Sequence, residues 1–199
     1  MRFKIRGVSV RIGFLFSAAA VFTLAYDRSM IALYSLAAAA IHEAAHLCCL
    51  IYYKERPAAL DFSLFGVKML RSGKIRLGYR QEIFAALSGP LANIILFVFL
   101  YAIFIFFNDP DFLGPAIVNL GVGAFNLLPA GDLDGGRILS SIICLRHMPQ
   151  TAERTVFALS VLTVFIAFFF GFYMLFKSGY NISLLLLAAY ICFMTVLRV

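Results

Sequence analysis

Apolar residues fill six long stretches of this chain, roughly 13–26, 30–53, 81–107, 112–146, 152–176 and 181–197, and charged residues gather at their ends. A helix of about 20 apolar residues crosses the hydrocarbon core of a bilayer. The pattern therefore predicts an all-α polytopic membrane protein with about six transmembrane helices. The first stretch is short for a full crossing and follows a basic segment, as a secretory signal does. No small-x-small cleavage site follows it and the next stretch starts almost at once, so it is read as a retained helix. The fourth stretch is too long and too broken for one regular span, being interrupted by Gly121, Gly123, Pro129, Gly131, Gly135 and Gly136. Irregular backbone at membrane depth is tolerated only where protein or a watery cavity surrounds it. That break marks a candidate site.

Between the second and third stretches the period changes from helical to two. Leu60, Phe62 and Leu64 alternate with Asp61 and Ser63, and Lys74 to Leu77 alternate again after Ser72-Gly73. This predicts a small β-hairpin over about 60–79 on the cytoplasmic face. Phe3 to Arg11 alternates too and adds a strand. Such a sheet either anchors the protein at the lipid interface or offers an edge to an extended substrate by strand addition.

Composition supports the membrane reading. The chain is 63% hydrophobic and 14% charged, with a mean hydropathy of +0.94, where soluble domains are nearer 45–50% apolar and roughly 25% charged. The 199 residues fit a single membrane-embedded domain with a catalytic core over about 30–146. A net charge of +7 raises nucleic acid as a partner, but most basic residues flank apolar stretches. Topology and anionic head groups explain them, and no nucleic-acid partner is expected. Arg2, Lys4, Arg6 and Arg11 precede the first stretch, a basic cluster from Lys54 to Arg80 separates the second and third, and Arg137, Arg146 and Arg154 close the fourth. This bias puts both termini in the cytoplasm. Cys48, Cys49, Cys144 and Cys192 show no C-x-x-C spacing and are read as buried reduced thiols.

Candidate chemistry lies inside the second stretch, at His42-Glu43-Ala44-Ala45-His46. Residues four apart share a helix face, so His42 and His46 present two imidazoles to one metal ion, and Glu43 is placed to take the proton of an attacking water. Ionisable groups within a bilayer are costly and usually functional. A catalytic zinc takes three protein ligands and keeps one position open. His147, beside Arg146 and Pro149 at the end of the fourth stretch, is read as solvated. A carboxylate in the broken fourth stretch, Asp132 or Asp134, is the better third ligand, at a depth similar to the two histidines.

At this point a resemblance becomes specific. The chain resembles the site-2 proteases, intramembrane zinc metalloproteases of peptidase family M50. His42-Glu43-Ala44-Ala45-His46 is similar to their zinc-binding helix, Ser88-Gly89-Pro90-Leu91-Ala92-Asn93 to their S-G-P-x-x-N segment, and Asn126-x-x-Pro129 with Leu133-Asp134-Gly135 to their N-x-x-P…L-D-G motif. The resemblance implies one zinc per chain held by His42, His46 and Asp134, with Glu43 activating water. Asp132 stands where Pro is commoner in the motif and is left as an alternative ligand or a partner to the first. Arg137 either orients the acid or snorkels to the interface. Asn93 either hydrogen-bonds between helices or holds the substrate and its oxyanion, and Asn126 either caps the broken helix or binds substrate main chain.

The layout is closest to the six-span subfamily of the sporulation peptidase that processes a pro-sigma factor, without that relative's C-terminal CBS domain. The expected activity is hydrolysis of a peptide bond in or near the membrane segment of a membrane-associated regulatory protein, such as a transcription regulator or pro-sigma factor. An inhibitory membrane partner, the lipid bilayer and a bacterial cell membrane complete the expectation. The competing readings are a metal or proton transporter using the same His/Asp site, and a non-catalytic membrane binding protein. Only one broken helix and no repeat are visible, which favours the enzyme over the transporter.

Overall fold

A computed structural model of the chain describes residues 2–5, 8–55, 57–63, 66–71, 77–131, 133–178 and 183–196. They fall into two compact units, Met1–Ala124 and Phe125–Val199.

The first unit opens with β1 (Arg2–Ile5) and β2 (Val8–Ile12), then α1 (Phe14–Tyr26) and α2 (Ile31–Tyr52). The chain next forms β3 (Pro57–Ser63) and β4 (Gly66–Arg71), followed by α3 (Tyr79–Phe107), a 3₁₀ turn at Pro110–Phe112 and α4 (Leu113–Asn126). The four strands make one sheet in the order β1-β2-β3-β4, with β1 and β4 at its edges. β1/β2 and β3/β4 are antiparallel pairs, whereas β2 and β3 run parallel, with α1 and α2 as the crossover. A parallel pair needs such a long connection.

Two strand expectations are corrected. The β3/β4 hairpin pairs Ser63 with Gly66 and Phe62 with Val67, so the chain reverses before the expected Ser72-Gly73 turn. Alternation identifies strands but not the residue at which a chain reverses. Residues 72–76 lie outside the described residues. The run from Phe3 to Arg11 is not one strand but the pair β1/β2, as Gly7 within it would favour.

α2 carries the His42–His46 motif, and its start is held from the preceding turn. Asp27 Oδ2 accepts from the Ala32 backbone N–H, and Oδ1 accepts from the N–H and hydroxyl of Ser29. The Ser29 hydroxyl, then the backbone N–H groups of Ala32 and Ser29, hold the Asp27 carboxyl below its ordinary value. This cap is fully present above the ordinary carboxylate range and is lost as pH falls through the depressed folded value.

Among the described residues, α2, α3 and α6 (Pro149–Ser178) are long and apolar enough to cross a membrane. α1 is a shorter apolar helix of 13 residues. The interrupted fourth stretch is two helices, α4 and α5 (Asp134–Cys144). α6 packs against both α5 and α7 (Ser183–Val196) within the second unit. A Cβ on Gly171 of α6 would come within 2.9 Å of the Leu185 side chain, so α6 and α7 lie very close there.

Size is sorted inside out. Buried positions include Ala38, Ala85, Ala86, Ala116 and Ala152, while Phe99, Phe106, Phe165, Phe169 and Phe176 point outward. Small residues let helix backbones approach, and a lipid surround accepts large apolar groups. The cysteines are free thiols, but Cys48 is exposed and the others are only half-buried. That corrects the buried reading: an apolar stretch in a membrane protein has a lipid face as well as a core face.

Candidate metal centre

His42 and His46 lie one turn apart on α2 and are 4% and 6% exposed, so both rings are withdrawn into the helix packing. α3 covers them. His42 Nδ1 is 2.7 Å from Asn93 Oδ1, and His46 Nδ1 is 2.7 Å from the Ala85 carbonyl. These contacts decide where the ring protons sit. A carbonyl can only accept, so His46 Nδ1 is the protonated nitrogen. The Ser88 hydroxyl, 3.2 Å from the same nitrogen, donates its own proton to Ala85 O. The Asn93 amide donates from Nδ2 to Ala38 O at 3.1 Å, which turns its Oδ1 toward His42. His42 Nδ1 therefore carries a proton as well.

In a neutral imidazole with Nδ1 protonated, Nε2 holds the lone pair. The two Nε2 atoms are 3.1 Å apart. With both Nδ1 atoms protonated this is not a hydrogen bond but two lone pairs facing one another, an arrangement a cation relieves. Two Zn–N bonds of about 2.0–2.1 Å at a tetrahedral angle put their nitrogens about 3.3 Å apart. The histidine pair therefore fits a zinc ion in protonation, direction and spacing. Ligand histidines characteristically donate their other nitrogen to a fixed acceptor in this way.

Gly89 makes the approach possible. A Cβ built there would fall 2.7 Å from His42 Nε2 and closer still to His46 Nε2. The adjacent Pro90 lacks the N–H that Ala86 O would otherwise receive, yet α3 continues through it. Ser88-Gly89-Pro90 thus presents α3 to α2 with almost no side-chain bulk. Glu43, next to His42 on α2, is half-buried.

The second unit holds the carboxylate. Asp134 is the first residue of α5 and is 5% exposed. A helix N-terminus favours a negative charge, and Arg137 Nη1 donates to Asp134 Oδ1 at 3.3 Å. The preceding break folds back on the start of this helix. A Cβ on Gly135 would meet Leu128 O at 2.5 Å and the Leu127 carbonyl closer still, and one on Gly136 would meet Gly131 O at 2.6 Å. Gly131 itself has φ 46°, a left-handed conformation that glycine adopts without cost. Its N–H donates to Ser160 Oγ on α6 at 2.8 Å, and Ser160 in turn donates to Val156 O at 2.7 Å. Replacing Ser160 by Ala removes both bonds and should lower the unfolding free energy by roughly 1–2 kcal/mol. Thermal unfolding in detergent micelles measures this, and an unchanged midpoint would show that the break is held by other contacts.

The remaining candidates are dispersed. Asn93 is fully buried and its amide is engaged with His42, Ala38 and Asn119. That is an interhelical role directed at the imidazole. Asn126 ends α4 and is half-buried. His147 is exposed. Asp132 lies outside the described residues. Sequence reasoning overlooked Ala85 O, Asn119 and Ser160. A backbone carbonyl has no sequence signature, but a lone Asn inside an apolar helix is a signal for the second.

Residues 111–169, which include Asp134, match the model of Peptidase family M50. A zinc metalloprotease of Methanocaldococcus jannaschii is 32% identical over 85 residues, covering 40% of this chain and 23% of that protein. The fold matches the site-2 protease from Methanocaldococcus jannaschii with a TM-score of 0.71 at 22% identity, over 98% of this chain and 93% of that one.

Part of the chain is similar to peptidase family M50.

The M50 match by sequence spans less than a quarter of the curated relative's length. The three long apolar helices among the described residues mark this chain as an integral membrane protein. The matched relative is a zinc metalloprotease, and the His42/His46 pair has the donor chemistry for zinc.

Proposed function

We propose that this chain is an intramembrane zinc endopeptidase that hydrolyses a peptide bond in or near the membrane segment of a membrane-associated regulatory protein. The observation that carries this reading is the paired Nε2 lone pairs of His42 and His46, held 3.1 Å apart by partners on their opposite nitrogens. Asp134, buried at the start of α5, is the third ligand in this reading. Its place in the L-D-G motif supports that role, and Arg137 donates to its Oδ1.

A zinc ion bound there supplies Lewis acidity to the scissile carbonyl and to water. Glu43 takes the proton of the attacking water and passes it to the leaving amide nitrogen. Asn93 and the Ala85 carbonyl keep the two imidazoles in the tautomer that binds metal. Among the described residues β4 is an edge of the sheet, along which an extended peptide would pair, the form in which a bond is open to attack. Both termini face the cytoplasm in this reading, because Lys and Arg concentrate on that side. The substrate class is a membrane-tethered transcription regulator or pro-sigma factor, as the subfamily resemblance implies.

Purified protein should carry about one zinc per chain. Asp134→Ala should lose most of it and all cleavage of a co-expressed membrane-anchored regulator. Full zinc occupancy in Asp134→Ala would remove Asp134 from the ligand set, and a wild-type protein without zinc would end the proposal.

A further inference from the structure

Asn93 does not act alone on His42. Its Nδ2 donates at 2.9 Å to Asn119 Oδ1 on α4, as well as to Ala38 O. Asn119 is itself 3% exposed, and its Nδ2 donates at 2.9 Å to the Pro115 carbonyl. An amide side chain can be turned either way round, exchanging donor for acceptor. Here the direction is forced from the far end. Pro115 O can only accept, so Asn119 must present Nδ2 to it and Oδ1 to Asn93. Asn93 must then present Nδ2 to Asn119 and Oδ1 to His42. His42 must donate from Nδ1, which leaves Nε2 with its lone pair. Main-chain carbonyls of α4 and α2 thus set the polarity of a buried chain that ends on an imidazole.

We infer that Asn119 is a positioning residue that locks His42 in its metal-binding tautomer through Asn93. This rests on the zinc-site reading above for its consequence, but not for the tautomer itself. If the Asn119 acceptor is removed, the Asn93 amide retains only Ala38 O as a constraint on its direction. Part of the population can then turn Nδ2 toward His42, which must protonate Nε2 to offer Nδ1 as acceptor. That form cannot bind metal until it rearranges.

Three variants test the lock: Asn119→Leu, which has no acceptor; Asn119→Ser, which removes the amide without adding bulk; and Asn119→Asp, which keeps an oxygen facing Asn93. Imidazole ¹⁵N shifts are read in metal-free protein labelled at histidine, and zinc affinity is read by chelator competition. The chain has three histidines, and His42 is assigned by loss of its signal in His42→Gln. The wild type should show the Nδ1-protonated tautomer at His42. Asn119→Leu and Asn119→Ser should show a mixture and bind zinc about tenfold more weakly, the lower end of what outer partners of metal ligands contribute. Asn119→Asp should restore both readings. An unchanged tautomer in both Leu and Ser variants overturns the inference, even if zinc binding weakens. So does a mixture that Asn119→Asp fails to correct. A wild type that shows the tautomer but takes up no zinc upholds the lock and overturns the zinc-site reading instead.

Discussion

Replacing Gly89 by Ala should strongly weaken zinc binding while leaving the helix that carries it intact. The added methyl would sit 2.7 Å from His42 Nε2 and nearer to His46 Nε2, the two atoms that face one another. Neither ring can retreat without breaking its bond to Asn93 or to Ala85 O. Alanine is the better helix former by about 0.5–1 kcal/mol, so α3 itself should be, if anything, more stable. Opposite signs for helix stability and metal affinity make this a sharp test. Zinc affinity should fall by about 100-fold or more, at or beyond the upper end for disturbed metal-ligand partners. Gly121→Ala on α4 is the control, because a methyl there meets nothing within 4 Å; it should bind zinc as the wild type does. Chelator competition on the three proteins decides the matter. Wild-type affinity in Gly89→Ala would mean that the two helices do not need their close approach at this point.

Glu43→Gln should keep its zinc and lose about 10²- to 10⁴-fold in cleavage rate, the usual contribution of a positioned general base. The substitution preserves shape and hydrogen-bonding capacity but cannot accept and return a proton. Glu43 neighbours His42 on α2 but is only half-buried, unlike the two histidines. That suits a group that must meet water and substrate better than one that grips an ion. Cleavage of a membrane-anchored regulator, wild type against variant, is read beside zinc content. Loss of metal together with activity would make Glu43 a ligand. Retained cleavage would place the base elsewhere.

Much of this site was legible from short windows of sequence. The four-residue spacing of His42 and His46 puts both on one face of any helix, whatever surrounds it. The run from Gly121 to Gly136 interrupts an apolar stretch, and the chain does break there, between Asn126 and Asp134. The Asp134–Arg137 pair follows from helical spacing of three. By contrast, the hairpin reversal was misplaced because strand alternation is compatible with several reversal points, and what selects one is the pairing of Ser63 with Gly66 itself. The cysteines were judged buried because hydropathy does not distinguish a helix's lipid face from its core face.

Sequence alone determined that the protein lives in a membrane, that α2 offers two imidazoles and an acid, and that a carboxylate waits in a broken helix. Those properties belong to composition and to periodicities carried within a turn or two of chain. Tertiary structure alone decided which nitrogen of each ring keeps its lone pair, and why glycine stands at position 89. The partners responsible lie 51 residues away for His42 and 39 for His46. A tautomer is chosen by whatever group meets the opposite nitrogen, and no local pattern in the chain encodes that meeting.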